Sequence, residues 1–182
     1  MNTIPTPTRP IRTSLALTLL TLLSVTAAQG VAAVTPPLPT QRPVPQVVQQ
    51  WADAWNKADA KGMANLFTED GVYQDFAFEA RFQGKAGVAG WVTLTVDAIP
   101  DARAVILDAF QAGDRVAVQW IFTGTPRRLG AIASTGKSFS VPVTSVFFLK
   151  GDRIQMVADY YNRAEVFQQL GLPSDTWALP RP

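Results

Sequence analysis

The chain has 182 residues, with 16 basic and 14 acidic side chains, no Cys, no His and 47% hydrophobic residues. That composition fits one packed globular domain. It excludes a disulfide framework, a thiol nucleophile, an iron–sulfur cluster and the usual nitrogen–sulfur zinc site. Acid–base chemistry has to run on Asp, Glu, Tyr or Lys, because the side chain that titrates near neutrality is missing.

Residues 1–14 carry Arg9 and Arg12 and no acid, Leu15–Val25 (LALTLLTLLSV) is uncharged and apolar, and small residues follow to Ala33. This order reads as an export signal over residues 1–33, with Val31-Ala32-Ala33 as the small-x-small cleavage site. The alternative is an uncleaved anchor. The apolar run of 11 residues is shorter than the ~20 that spanning needs, which favours cleavage and leaves no stable membrane span. Cleavage removes two Arg and no acid, so 14 basic residues then face 14 acidic ones. A formally neutral chain whose one basic pair is Arg127-Arg128 lacks the clustered positive surface that nucleic-acid binding needs.

Residues 34–45 (VTPPLPTQRPVP) hold five prolines and read as an extended linker. From Gln46 the apolar residues Val47, Val48, Trp51, Trp55 and Ala58 recur at helical spacing. Asp59 can cap a second short helix carrying Met63, Leu66 and Phe67. Glu69-Asp70-Gly71 breaks that helix, and residues 72–76 read as a strand. A third helix runs from the Gly84 region through Val88, Trp91, Val92 and Leu94 towards Pro100. Gly84, Gly87 and Gly90 are no dinucleotide fingerprint, since they follow no parallel βα unit. Residues 102–112, 115–125, 137–150 and 153–162 read as a meander of strands, turning at Gly113-Asp114 and Gly151-Asp152 with a longer loop over 130–136. A last helix holds Val166, Phe167 and Leu170, Pro173 ends the domain, and residues 173–182 form a tail. Helices followed by a long antiparallel meander argue α+β, with helices on one face of a curved sheet.

Several phrases carry a resemblance. They are Trp51-Ala-Asp-Ala-Trp-Asn-Lys-Ala-Asp59, Leu66-Phe-Thr-Glu-Asp-Gly-Val-Tyr-Gln-Asp75, Ile99-Pro-Asp101, Gly151-Asp-Arg-Ile154 and Asp159-Tyr-Tyr-Asn with Gln169-Leu-Gly-Leu172. In this order they resemble the NTF2-like superfamily of cone-shaped domains. Within it, they resemble the SnoaL-like polyketide cyclases and their ketosteroid isomerase relatives, over residues 46–172. The resemblance implies cofactor-free and metal-free chemistry on a carbonyl compound in a hydrophobic pocket. It puts Asp75 where the isomerases hold their general base and Asp159 where the cyclases hold their acid–base residue. The isomerases' Tyr donor falls on Trp51 and their second oxyanion donor on Thr144, both weaker as proton sources.

From the residues themselves, Trp51, Trp55, Tyr73, Trp91 and Trp120 are candidates to line a pocket for an apolar small molecule. Trp51 and Trp55 also fit the core side of their helix. Asp75 fits equally a strand-end acid bonded to nearby amides. Strict strand alternation puts Asp159 opposite Ile154, Met156 and Ala158, so it reaches the cavity with them outside, or through a bulge. Three functions stay open: an exported cyclase or isomerase, a non-catalytic small-molecule carrier, and a homodimeric accessory module joined through the outer sheet face.

Overall fold

The computed structural model describes residues 43–130 and 132–176. The expected signal over 1–33, most of the linker over 34–45 and the end of the 173–182 tail lie outside the described residues. In chain order the elements are α1 (Gln46–Asn56), α2 (Ala60–Asn65), β1 (Phe67–Asp75), β2 (Ala80–Gln83), α3 (Gly84–Ala98), β3 (Arg103–Ala112), β4 (Arg115–Gly124), β5 (Arg128–Leu129), β6 (Ile132–Ala133), β7 (Phe139–Lys150), β8 (Arg153–Tyr161) and α4 (Arg163–Leu170). Six strands form one mixed sheet in the order β2-β1-β8-β7-β4-β3, and β5 pairs with β6 separately. Only the β1–β8 pair is parallel in the large sheet. The α+β class expected from the sequence is the one observed. No helix among the described residues is long and apolar enough to cross a membrane.

Local chemistry explains most boundaries. The α1 face of Val47, Val48, Trp51, Ala52 and Trp55 is buried, as the helical spacing demands. Asp59 caps α2 by accepting from the Gly62 amide at 2.7 Å. Asn162 caps α4 through the amides of Ala164 and Glu165. Gly171 ends it in the left-handed region at φ 73°, which glycine enters without steric cost.

Three expectations need correction. The second helix stops at Asn65, so Leu66 and Phe67 are not in it and Phe67 opens β1. The Glu69-Asp70-Gly71 breaker lies inside β1, where the register with β8 shifts between Phe67 and Val72. Strand β2 falls in a stretch with no strand expectation, and the loop over 130–136 holds part of the β5–β6 pair. The bulge left open for β8 is present: Phe148 pairs with Met156 but Leu149 with Ile154, leaving Gln155 as an extra residue. A single extra residue reverses which side chains face the core. Ile154, Val157 and Asp159 are therefore all buried, whereas Tyr160 is exposed and stacks on Phe76 on the outer face.

The core lies between the helices and the inner sheet face, with Trp51, Phe67, Phe147, Ile154 and Phe167 fully buried. At the end of β4, Gly124 lets the buried side chain of Ile99 pack against its α-carbon, closer than an added methyl allows. Gly124→Ala is expected to lower stability by about 1–3 kcal/mol, the usual range for overpacking. Denaturant titration at constant m-value checks this; a variant as stable as the wild type would contradict the packing described.

Candidate active site

The inner sheet face and α3 enclose a cavity of about 340 Å³, within the range of small-molecule sites. Trp55, Tyr73, Asp75, Trp91, Trp120 and Asp159 all line it. The exposed side chains of Arg103, Arg128 and Leu94 stand at its rim. Two expected lining residues are elsewhere. Trp51 is completely buried beneath the cavity wall, edge-on to Trp120 and Phe147 at ring distances of 5.1 and 5.4 Å. It belongs to the core because its position on α1 faces the centre of the sheet. Thr144 is exposed on the outer face of β7, since Val141, Val143, Ser145 and Phe147 alternate inward. The hydroxyl that faces in is the next one, Ser145.

Asp75 and Asp159 occupy partner positions on the parallel strands β1 and β8. Adjacent strands run about 4.8 Å apart and partnered residues share a face, so the two carboxyls are neighbours. Both residues are 4% exposed. Their partners differ. Asp159 accepts from the Ser145 hydroxyl at 2.6 Å and from the Tyr73 hydroxyl at 2.9 Å. Each hydroxyl accepts in turn from an indole: Trp120 donates to Ser145 at 2.8 Å and Trp55 to Tyr73 at 3.2 Å. Asp75 accepts from the Phe78 amide at 2.8 Å and from the Tyr161 hydroxyl at 2.8 Å.

These surroundings set the proton affinities. Burial pushes the Asp159 carboxyl up to about 7, and the charge of Asp75 adds to the rise; the Ser145 and Tyr73 hydroxyls oppose it. Burial also raises Asp75, opposed by the Phe78 amide, the Tyr161 hydroxyl, the Ala77 amide and the Arg163 guanidinium. Burial, followed by the neighbouring carboxylates, holds the phenols of Tyr73 and Tyr161 well above their ordinary value. Both phenols are therefore donors at any ordinary pH. Because charge on one carboxyl disfavours charge on the other, the two titrate as a coupled pair.

Tyr161 and Ser145 were not anticipated. Tyr161 is two residues beyond Asp159 on the same strand, a position that shares its face. Ser145 interrupts an otherwise apolar inward series on β7. Both signals become readable once the facing of β7 and β8 is known.

Residues 48–157 match the SnoaL-like domain. This chain belongs to the SnoaL-like family. An uncharacterised protein of Catenulispora acidiphila with a ketosteroid isomerase-like fold, solved in complex with trimethylamine, is 30% identical; the match covers 75% of this chain and 100% of that one at TM-score 0.67. IdmH, a candidate polyketide cyclase of Streptomyces antibioticus, is 21% identical over 69% of this chain and 96% of its own at TM-score 0.60. A candidate polyketide cyclase of Xanthomonas campestris is 23% identical over 68% of this chain and 93% of its own at TM-score 0.61. At those identities the last two show the shared fold of the SnoaL-like protein. No curated protein gives a significant match.

The raised affinity of Asp159 has a consequence for stability. In an unfolded chain an Asp titrates near ~4; in the folded SnoaL-like protein Asp159 titrates at about 7. The folded state then binds more protons across that interval, so stability is fullest below the lower value and falls as pH rises through the higher one. Asp159→Asn never ionises. Its stability relative to wild type is expected to climb from pH 4 to pH 7, by on the order of a few kcal/mol, and to level off above. Urea denaturation of both proteins at successive pH values checks this, and a pH-independent difference would contradict it.

Proposed function

We propose that this SnoaL-like protein is an exported, cofactor-independent cyclase or isomerase that moves protons on a hydrophobic carbonyl compound. The observation that carries the reading is the pair of buried, differently partnered carboxyls, Asp75 and Asp159, in register at an aromatic-lined cavity. Export rests on the order of basic, apolar and small residues over 1–33, the layout of a signal peptide.

The proposed division of labour follows from the partners. Asp75, with an amide and a phenol donating to it and Arg163 nearby, is the carboxylate of the pair. Asp159 holds the proton up to about pH 7. A carbonyl oxygen directed at Asp159 takes its hydrogen bond, while Asp75 removes a proton from the adjacent carbon. The electron pair of that C–H bond becomes the enolate, whose oxygen is met by the neutral acid. Return of the proton from Asp75 to another carbon completes an isomerisation. Attack of the enolate on a second carbonyl of the same molecule forms a ring, and Asp159 then protonates the new alkoxide. Asp75 holds the abstracted proton at that point, and its transfer to the neighbouring Asp159 restores the pair. An acid kept neutral beside an ionised base is an established way to run this chemistry near neutrality.

The test is an enolisation and cyclisation assay on steroid-like and polyketide-like ketones. Asp75→Asn is expected to reduce turnover at least about 100-fold, the usual scale for losing a general base, with native mass spectrometry still detecting bound ketone. Wild-type kcat/KM is expected to fall as pH rises through about 7, where Asp159 loses its proton. Ketone binding with no turnover by the wild type as well as by Asp75→Asn would overturn the enzyme reading.

A second reading has one observation behind it, the relative solved in complex with trimethylamine. Here the faces of Trp91, Trp120 and Tyr73 with the carboxylates of Asp75 and Asp159 would hold a small alkylammonium in a non-catalytic pocket. The probe is tetramethylammonium, which keeps its charge at every pH. Under this reading wild type binds it without turning over any ketone, and its affinity increases as pH rises through about 7, because the cation favours ionised Asp159.

A further inference from the structure

One peptide group ties Asp75 to the start of α4. Strand β1 ends at Asp75 and β2 begins at Ala80, its antiparallel partner, so residues 76–79 make the turn between them. Within that turn the Phe78 amide donates to the Asp75 carboxyl at 2.8 Å. The carbonyl of the same peptide belongs to Ala77, and it accepts from Arg163 Nη1 at 2.6 Å. This peptide is trans, so its C=O and N–H lie in one plane and point opposite ways. A guanidinium that grips one end therefore aims the other at Asp75.

The turn has reason to need that grip. Glu79 closes it at φ 56°, in the left-handed region that a residue with a β-carbon enters at a cost. Aromatic packing holds its sides, with Phe76 stacked on Tyr160 and Phe78 against Tyr161 and Phe167. Ring packing does not choose which way the peptide between them faces. Flipped, that peptide would set the Ala77 carbonyl against the Asp75 carboxylate. Arg163 opens α4, where the helix dipole disfavours a cation, and Asn162 already caps that end. The helix gains nothing from a guanidinium there, whereas the Ala77 carbonyl does. A charged donor on the carbonyl also polarises the peptide and strengthens its N–H as a donor.

We infer that Arg163 is a positioning residue for the base, orienting the Ala77–Phe78 peptide so that its N–H meets the Asp75 carboxylate. This rests on the carbonyl-substrate reading above and adds to it the residue that prepares Asp75 for its part. The titratable and charged groups around Asp75 are Asp159 and Tyr161 from β8, Tyr73 from β1 and Arg163 from α4. Glu79 pairs with the guanidinium at 3.4 Å. Arg163 is the cation of that set. Burial raises the proton affinity of Asp75, and the Phe78 amide and the guanidinium oppose the rise. Removing Arg163 therefore raises it further, whereas water entering a loosened site would lower it.

The test follows exchange of the α-hydrogens of β-decalone in deuterium oxide across pH, beside carbon-13 titration of Asp75. It compares the whole wild-type protein with Arg163→Met and Arg163→Lys. In Arg163→Met the Asp75 midpoint is expected to rise, and the acid limb of kcat/KM to follow it. On that limb kcat/KM is expected to fall about tenfold or more, with the deficit closing as pH rises. Arg163→Lys keeps a cationic donor for the Ala77 carbonyl and is expected to recover most of the loss. An Asp75 midpoint that stays or falls in Arg163→Met, or a loss equal at every pH, overturns the positioning role and leaves the carboxyl chemistry standing. Absence of exchange by the wild type at every pH overturns the carbonyl reading and the positioning role together.

Discussion

Two carboxyls lie side by side in the interior of this protein, and most of what surrounds them is needed to keep them there. Partner positions on the parallel strands β1 and β8 put Asp75 and Asp159 on one face of the sheet. Two buried negative charges at that separation repel strongly in a poorly polarisable interior. The fold resolves the conflict by letting one carboxyl keep its proton. Arg163 and the Phe78 amide act on Asp75, whereas Asp159 has only neutral donors and the opposing charge of Asp75.

The aromatic side chains serve this arrangement twice. Their rings make the cavity wall apolar, which is the source of the raised proton affinities. Their polar ends hold the acids, as the chains from Trp55 through Tyr73 and from Trp120 through Ser145 both finish on Asp159. Trp51 supports from beneath, fixing Trp120 edge-on without touching the cavity. Such a network lowers stability relative to an apolar core of the same volume, and perturbed acids of this kind gather at functional sites. The parallel β1–β8 pair is the only parallel pair in the large sheet, and it is the one that carries the acids.

Much of this was legible in the residues. The spacing of Val47, Val48, Trp51 and Trp55 gives α1 and its buried face, and the Gly-Asp turns delimit β3, β4, β7 and β8. Asp75 at a strand end beside Tyr73 was readable as a site candidate, as were Trp55, Trp91 and Trp120. What escaped depends on single-residue register. Along β7 the apolar Phe139, Val141 and Val143 alternate with Ser140, Pro142 and Thr144, which points Ser145 inward, but Val146, Phe147, Phe148 and Leu149 are apolar on both faces and blur that phase beside two adjacent hydroxyls. The facing of Asp159 turns on the bulge at Gln155, a pairing irregularity between β7 and β8 that the composition of β8 does not announce. Strand β2 consists of four residues, too few for a periodic pattern, and exists because β1 offers it an edge.

The account stands on Asp159 keeping its proton to near neutrality beside the charge of Asp75, and carbon-13 NMR titration of the aspartate side-chain carboxyls measures that directly. The Asp159 carboxyl is expected to titrate with a midpoint at about 7, with the Asp75 resonance shifting in the same step because the two are coupled. In Asp75→Asn the Asp159 midpoint is expected to fall, since the neighbouring charge is gone. An Asp159 carboxyl that titrates in the ordinary carboxylate range, unmoved by that substitution, would contradict the account.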